Sequence, residues 1–328
     1  QSFSTKPLSL AVLGGLAMMA AFGKETPAEA QSSKPIFMLV VPFAAGGPSD
    51  ITARILLKYL GPELGQNTVI ENTPGAGGAL AAQRVARAPD PENGGIAKND
   101  GFAWGFASNR NWPSYADPRD MKFAGVYSSG PLILAASKSF PGTTYAELMS
   151  WLKSSDANAV IGNPGIGSPG GICTVVWLQK EPDFKPAVVT FTGAGPATVA
   201  LLQGYIKSAC LLSADILPRI LDGSVKAIGS TGPVRQLPNI PRLDGIDTRV
   251  NNGILMAKET SEPRVNELTR ALMAAMKNPE FQRDIDALGL VATPLSDDAS
   301  AQSVRDAHAR QFLDQLDQYR RMLPPAQK

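Results

Sequence analysis

The chain reads as an α/β protein of alternating strands and helices, and three observations lead there. Thirty-one glycines and twenty-seven prolines in 328 residues are more than a helical bundle carries, and their even scatter between apolar runs marks many short strand–turn–helix connections. Strand-length apolar runs are followed repeatedly by helix-length segments, the alternation that builds parallel sheet. Two glycine-rich turns, Val41-Pro42-Phe43-Ala44-Ala45-Gly46-Gly47-Pro48-Ser49-Asp50 and Gly162-Asn163-Pro164-Gly165-Ile166-Gly167-Ser168-Pro169-Gly170-Gly171, each stand between a strand-like and a helix-like run. Such a turn leaves backbone N–H groups unpaired at a helix N-terminus, where the macrodipole favours negative charge. Two of them in different halves of one chain suit a cleft that closes on a small anion.

In chain order, Lys34 to Val41 is a strand by its apolar run, and Ser49 to Leu60 a helix that Ser49 or Asp50 would cap and Gly61-Pro62 would end. Thr68 to Glu71 is the next strand, followed by the Pro74 to Gly78 turn and a helix from Ala79 to Ala88. The polar stretch Pro89 to Asp100 reads as a surface loop, and Phe102 to Ala107 as a strand. Val126 to Ser137 reads as a long strand crossing into a second region; Thr144 and Glu147 then form a capping-box pattern. Strands are expected at Ala159 to Gly162, Ala187 to Phe191, Ile206 to Leu212 and Val225 to Gly229. Helices are expected through Gln179, at Pro196 to Gln203 and at Ile216 to Asp222. Asn252 to Ala257 is the expected return crossing, ahead of helices at Glu262 to Met276, Pro279 to Leu288 and Ala299 to Met322. The first region with the C-terminal helices would form one lobe and the middle the other.

Hydrophobic residues make up 44% of the chain and charged residues 18%, enough for a folded protein of two domains. A net charge of +2 gives no electrostatic footprint for nucleic acid. Residues 1–30 read as a secretory signal: Lys6 is the basic end, Leu8 to Phe22 the apolar run, and Ala28-Glu29-Ala30 the small-residue cleavage site. That apolar run falls short of the roughly twenty residues a spanning helix needs, so an exported protein is expected. Cys173 and Cys210 would either pair in an oxidising compartment or stay as two buried thiols, since each sits in an apolar run. With His308 the single histidine, no His/Cys metal cluster can be assembled and no metal or cofactor is expected.

Lys34-Pro35-Ile36 through Asp50, followed by Glu71-Asn72-Thr73-Pro74-Gly75-Ala76-Gly77-Gly78, resembles the Bug/TctC family of extracytoplasmic solute receptors of tripartite tricarboxylate transporters. Phe191-Thr192-Gly193-Ala194-Gly195-Pro196-Ala197, Leu202-Gln203-Gly204, Leu221 to Ile228 and Leu237-Pro238-Asn239-Ile240-Pro241 extend the likeness, which runs from about Lys34 to Pro294. The resemblance implies a two-lobed periplasmic-binding-protein fold of type II kind, each lobe a mostly parallel sheet flanked by helices. It implies a periplasmic monomer that takes a small carboxylate in the interlobe cleft and delivers it to membrane permease subunits. Lobe 1 would span 31–132 and 257–328, and lobe 2 133–256. Phe43 to Asp50 and Asn163 to Gly170 would hold one carboxylate end, partly through ordered water. The chain departs from the family pattern at Pro169-Gly170-Gly171-Ile172 and at Cys210-Leu211-Leu212. These departures favour an aliphatic or aromatic carboxylate over an amino acid.

The candidate ligand residues are Phe43, Ala45, Gly46, Ser49 and Asp50 in the first turn and Asn163, Ile166, Gly167, Ser168 and Gly170 in the second, with Ser108, Asn109, Thr192 and Asp215 beside them. Phe43 would wall the cleft, while Ser49 and Asp50 serve equally as helix caps. Ser168 is the better hydroxyl donor. Ser108, Asn109 and Arg110 follow an expected strand, and ligands of open α/β sheets bind beyond the carboxyl ends of strands. Asp215 suits a helix cap more than a ligand contact. His308, in a charged helical stretch, is expected on solvated surface. No residue is expected to be catalytic, because the one histidine is remote from every turn. The other readings are an exported phosphate- or nucleotide-binding enzyme and a sensory receptor of the same fold. Against the enzyme, neither turn fits the dinucleotide or P-loop pattern.

Overall fold

The computed structural model describes residues 35–98, 100–108, 111–154, 159–165, 168–246, 249–293, 296 and 299–322. The expected signal at 1–30 lies outside the described residues, as do Asn109, Arg110, Ile166 and Gly167.

The first stretch holds β1 (Phe37–Val41), α1 (Pro48–Leu64), β2 (Thr68–Asn72), α2 (Ala79–Ala86), β3 (Gly94–Lys98) and α3 (Asp100–Ser108). The long β4 (Lys122–Ser137) follows, then α4 (Tyr145–Ser154), β5 (Val160–Asn163), α5 (Pro169–Lys180), β6 (Ala187–Thr190) and α6 (Ala194–Leu202). The chain continues through β7 (Ser208–Leu212), α7 (Ser213–Leu221), β8 (Val225–Ser230) and β9 (Arg249–Met256). It ends in α8 (Glu262–Lys277), α9 (Pro279–Asp286), β10 (Val291–Ala292) and α10 (Ala301–Met322).

The strands form one sheet in the order β2-β1-β3-β9-β4-β7-β5-β6, with β8 and β10 also pairing β4. Pairing is parallel around β1 and around β5, and antiparallel wherever β4 or β9 takes part. The 16 residues of β4 join the two parallel groups. Up to Pro131 it pairs β9, and from Leu132 on it pairs β7 and β8. β9 itself pairs β3 and the first part of β4. By its pairing β9 thus joins the strands around β1.

Alternate residues of a strand point to opposite faces, so the membership of each apolar cluster shows how the sheet is covered. Phe37, Leu39 and Val41 of β1, Leu132, Leu134 and Ala136 of β4, and Cys210 and Leu212 of β7 share one cluster with Leu56 and Leu60 of α1 and Leu268 and Leu272 of α8. That face is continuous across both halves. On the other face Val40 packs with Phe102, Phe312 and Leu316, while Ile133, Ala135, Ala209 and Leu211 form a separate cluster with Leu201 and Ile216. The second face is thus split where β4 changes partners.

Three expectations are corrected. The stretch 89–100 is not a surface loop, because it contains β3, buried at every residue. Gly94 and Gly95 hide that strand from a pattern reading, yet a Cβ at Gly95 would lie 2.9 Å from the Ile254 side chain, so glycine is what lets β3 fit beside β9. The strand expected at 102–107 is instead α3: Phe102 is buried and stacks edge-on against Trp112 at 5.4 Å, and a side chain at Gly105 would collide with the Gly77 backbone. His308 is not solvated. It is 9% exposed, and its Nδ1 accepts the Val126 N–H at 2.8 Å, fastening α10 to β4.

Helix ends follow local chemistry. Glu147 accepts the Thr144 N–H at 2.9 Å and donates its own N–H to the Thr144 hydroxyl at 3.3 Å, the reciprocal pair the sequence announced. α1 runs past Gly61-Pro62 and stops at Gly65, whose φ of 59° is a left-handed cap. Cys173 on α5 and Cys210 on β7 form a disulfide with a Cα–Cα separation of 6.0 Å.

Candidate functional site

Parallel pairing puts the carboxyl ends of β1, β2 and β3 on one edge of the first half, and those of β5, β6 and β7 on one edge of the second. Both glycine-rich turns leave from such edges, where open α/β sheets bind their ligands.

The first turn is held from within by Asp50. Its buried carboxylate accepts from the Gly46 N–H at 2.9 Å, from Arg54 Nε at 2.9 Å and from Asn72 Nδ2 at 3.1 Å. Asn72 also donates to the Phe43 carbonyl at 3.1 Å, tying the end of β2 to the turn. Burial raises the Asp50 pKa, but the hydrogen bonds from Arg54, Gly46 and Asn72 outweigh it and hold the carboxyl below its ordinary value. The helix cap expected of Ser49 or Asp50 is not formed, because α1 begins at Pro48 after Gly47 and both residues lie inside its first turn; Asp50 instead braces the turn that precedes the helix. Gly46 sits at φ +77°, a left-handed conformation, with open space where a Cβ would stand. Phe43 is half-buried against the continuous apolar cluster, Ala45 and Gly46 are exposed, and Ser49 is buried. Gly47, the residue before α1, offers no side-chain cap to the helix N–H groups, and Pro48 opens the helix without an N–H. Replacing Asp50 with Ala should lower unfolding free energy by about 2 kcal/mol, because charge-assisted hydrogen bonds are lost around a buried turn. Urea titration reads this directly, and an unchanged midpoint would mean the turn is held by other contacts.

The second turn is organised by Asn163 and Ser168. The Asn163 side-chain oxygen accepts the Gly165 N–H at 2.9 Å, and the Ser168 hydroxyl accepts the Gly171 N–H at 3.0 Å as the cap of α5. An accepting hydroxyl keeps its own proton for donation, so capping and ligand contact are compatible at Ser168. Gly170 has no room for a side chain, since a Cβ there would run into the Cys210 carbonyl and the Pro164 ring. Phe191 donates its N–H to the Asn163 carbonyl at 2.8 Å, which brings the exposed Thr192 beside this turn.

Asp215 stands in the first turn of α7, just beyond the end of β7, with the Leu212 N–H as the group that favours its charged form. It is half-buried at its surface, yet desolvation pushes its pKa up to about 7 with only that one donor opposing. Ser108 has lost its expected place at a strand end. It closes α3 and donates to the Gly105 carbonyl at 3.5 Å. The sequence reading missed Asn72 as the brace of the first turn; it stood just after the second expected strand, and nothing in a single sequence pairs it with Asp50. Among the described residues no group of three or more His, Cys, Asp or Glu side chains could hold a metal, and no helix is long and apolar enough to cross a membrane.

The profile of the tripartite tricarboxylate transporter family receptor, TctC, matches residues 52–313. The chain belongs to the TctC family. This TctC-family chain is 28% identical over 298 residues to a UPF0065 protein from the TAR-I ttuE-ttuC' intergenic region of Agrobacterium vitis, an alignment covering 88% of this chain and 85% of that one. Among solved structures, MatC from Rhodopseudomonas palustris with bound malate is similar, with 27% identity, a TM-score of 0.76 and coverage of 88% of this chain and 98% of MatC. The periplasmic binding protein BugD is similar at 25% identity and a TM-score of 0.74, covering 88% of this chain and 97% of BugD. The fold of the TctC chain is accordingly the two-lobed α/β fold of periplasmic binding proteins, and the family is one of solute-binding receptors.

Proposed function

We propose that this receptor captures a small carboxylate between the Phe43–Asp50 and Asn163–Gly170 turns, without performing chemistry on it. The observation that carries the reading is the likeness to MatC, a binding protein with malate bound, over nearly the whole of both chains. The local geometry agrees. α1 begins without a side-chain cap and its macrodipole favours an anionic oxygen at that end, and Ser168 has a hydroxyl proton to donate from the other group of strands. Asn163 uses its side-chain oxygen within the turn, so its amide N–H₂ end is what it offers a ligand. Phe43 supplies apolar wall. Asp215, with its raised pKa, would act as a neutral donor to a ligand hydroxyl or second carboxyl rather than as a partner for an amine.

The protein is read as exported to the periplasm after loss of the segment 1–30, and as the partner of membrane permease subunits to which it hands its ligand. Its lobes are best drawn with the return before Arg249, because β9 pairs with β3 and β4.

Thermal-shift screening against malate, succinate, longer aliphatic and aromatic carboxylates, and nucleotides tests the assignment. A carboxylate should raise the melting temperature in a dose-dependent way, by mass action on the folded state. Replacing Gly46 with Trp should weaken that binding at least tenfold, because the side chain fills the open space there and strains the left-handed backbone of the turn. A panel in which only nucleotides stabilise the protein, or a Gly46→Trp variant of unchanged affinity, would reverse the assignment.

A further inference from the structure

A cavity of about 860 Å³ opens between α10 and the start of β9, and no residue of either glycine-rich turn lines it. Arg242, Arg249, Arg310 and Arg321 line it together with Asn251 and the single acidic residue Asp314. A chain with 31 basic and 29 acidic residues would by chance give such a lining a near-even balance, so this concentration of guanidinium groups is local.

Its position follows from the fold. Val250, Ile254 and Met256 of β9 belong to the continuous apolar cluster and Leu255 to the opposite one, so Arg249 and Asn251 project to the split face. Arg249 pairs with Pro131, the point at which β4 changes partners. Arg310 and Arg321 lie eleven residues apart on α10. At about 100° per residue they fall within about 20° of one another around the helix. Their stripe is separate from the one that buries Val304, His308, Phe312 and Leu316. Arg242 joins from the segment after β8, held by a bridge to Ser230. The cavity is therefore the notch left between the two separate clusters of the split face. Among the described residues no ion pair engages Arg249, Arg310 or Arg321, while Arg320 on a neighbouring face is paired with Asp317 at 3.7 Å.

Guanidinium groups gathered in one concave site repel one another, and the repulsion is relieved by a ligand with several anionic oxygens that can accept paired hydrogen bonds. We infer that this notch is a second binding site, for a small multiply charged oxyanion of the polycarboxylate or phosphate class. It is separate from the carboxylate site between the turns. Because its walls come from α10 on one side and from the chain returning to β9 on the other, occupancy would draw these two segments together at the point where the halves of the sheet join.

Calorimetric titration at low salt with citrate, inorganic phosphate and acetate tests this in three proteins: the parent, Gly46→Trp, and Arg249→Gln/Arg310→Gln. Citrate, phosphate or both should still bind one site in the Gly46→Trp protein, lose at least tenfold in affinity for that site in the arginine variant, and weaken steeply with added salt. Acetate should not compete. Which of the two polyanions binds identifies the class. Polyanion binding that vanishes in Gly46→Trp, or persists undiminished in Arg249→Gln/Arg310→Gln, would overturn the inference. Failure of monocarboxylate or malate binding in the parent would count against the site between the turns and leave this result standing on its own.

Discussion

Reducing the Cys173–Cys210 bridge, or replacing both residues with Ala, is expected to lower the unfolding free energy by about 3–4 kcal/mol. The two cysteines are 37 residues apart, and a cross-link closing a loop of that length removes that much chain entropy from the unfolded state in the loop-closure account. Both residues are almost completely buried, so Ala leaves little polar disturbance behind. The consequence reaches the binding turn. α5 carries the second glycine-rich turn at its N-terminus, and Gly170 in its first turn lies against the Cys210 carbonyl with no space to spare. A bridge from α5 to the adjoining strand β7 therefore fixes where Ser168 and Gly170 stand relative to β5 and β7. Urea unfolding with and without reductant should show the lowered midpoint, and carboxylate affinity should fall along with it. Thiol titration of the denatured, unreduced protein should give no reactive thiols, rising to two after reduction. Two thiols before reduction would instead establish the alternative of separate buried cysteines.

What the sequence made legible was local and periodic. The reciprocal cap at Thr144 and Glu147, the long crossing strand and both strand–turn–helix connections at the glycine-rich turns are written in neighbouring residues, and the structure reproduces them. Failures cluster where a distant contact overrides a local pattern. Gly94-Gly95-Ile96-Ala97-Lys98 lacks the bulky residues of a strand, and becomes one because β1 and β9 leave a slot too narrow for a side chain at Gly95. Phe102 to Ala107 has the apolar density of a buried strand and is a helix, since periodicity cannot separate the two in so short a run and packing on Gly77 and Trp112 settles it. Within the candidate site, the residue types were readable but their employment was not. Asp50 is an inward brace only because Asn72 and Arg54 converge on it, and Ser168 serves α5 as a cap while retaining a proton to donate.

His308 and Asp215 are expected to make stability respond to pH in opposite directions, so that the parent changes little between pH 7 and pH 5 while single variants diverge. His308 accepts the Val126 N–H at Nδ1, which requires the neutral ring. Desolvation, assisted by the charge of Lys98, lowers its pKa to about 4 from 6.5. Between those values the unfolded chain binds the proton and the folded one does not. The stability due to His308 is thus complete above pH 6.5 and is lost as pH falls, by about 2 kcal/mol at pH 5. Asp215 has its folded pKa raised to about 7 from 3.8. Here the folded state holds the proton, so its contribution is complete below pH 3.8 and is lost as pH rises towards 7, again by about 2 kcal/mol over the same interval. His308→Gln keeps an acceptor for Val126 but does not titrate, so it should become more stable on going from pH 7 to pH 5. Asp215→Asn should become less stable over the same step. Urea unfolding of the three proteins at the two pH values gives the comparison. If both variants follow the parent, neither group is coupled to folding; if only one diverges, the burial of the other is relieved in solution. Because Asp215 also borders the edge that carries the second turn, the same titration would appear in ligand affinity, with hydroxy- and dicarboxylates binding more tightly below pH 7, where Asp215 can donate a hydrogen bond.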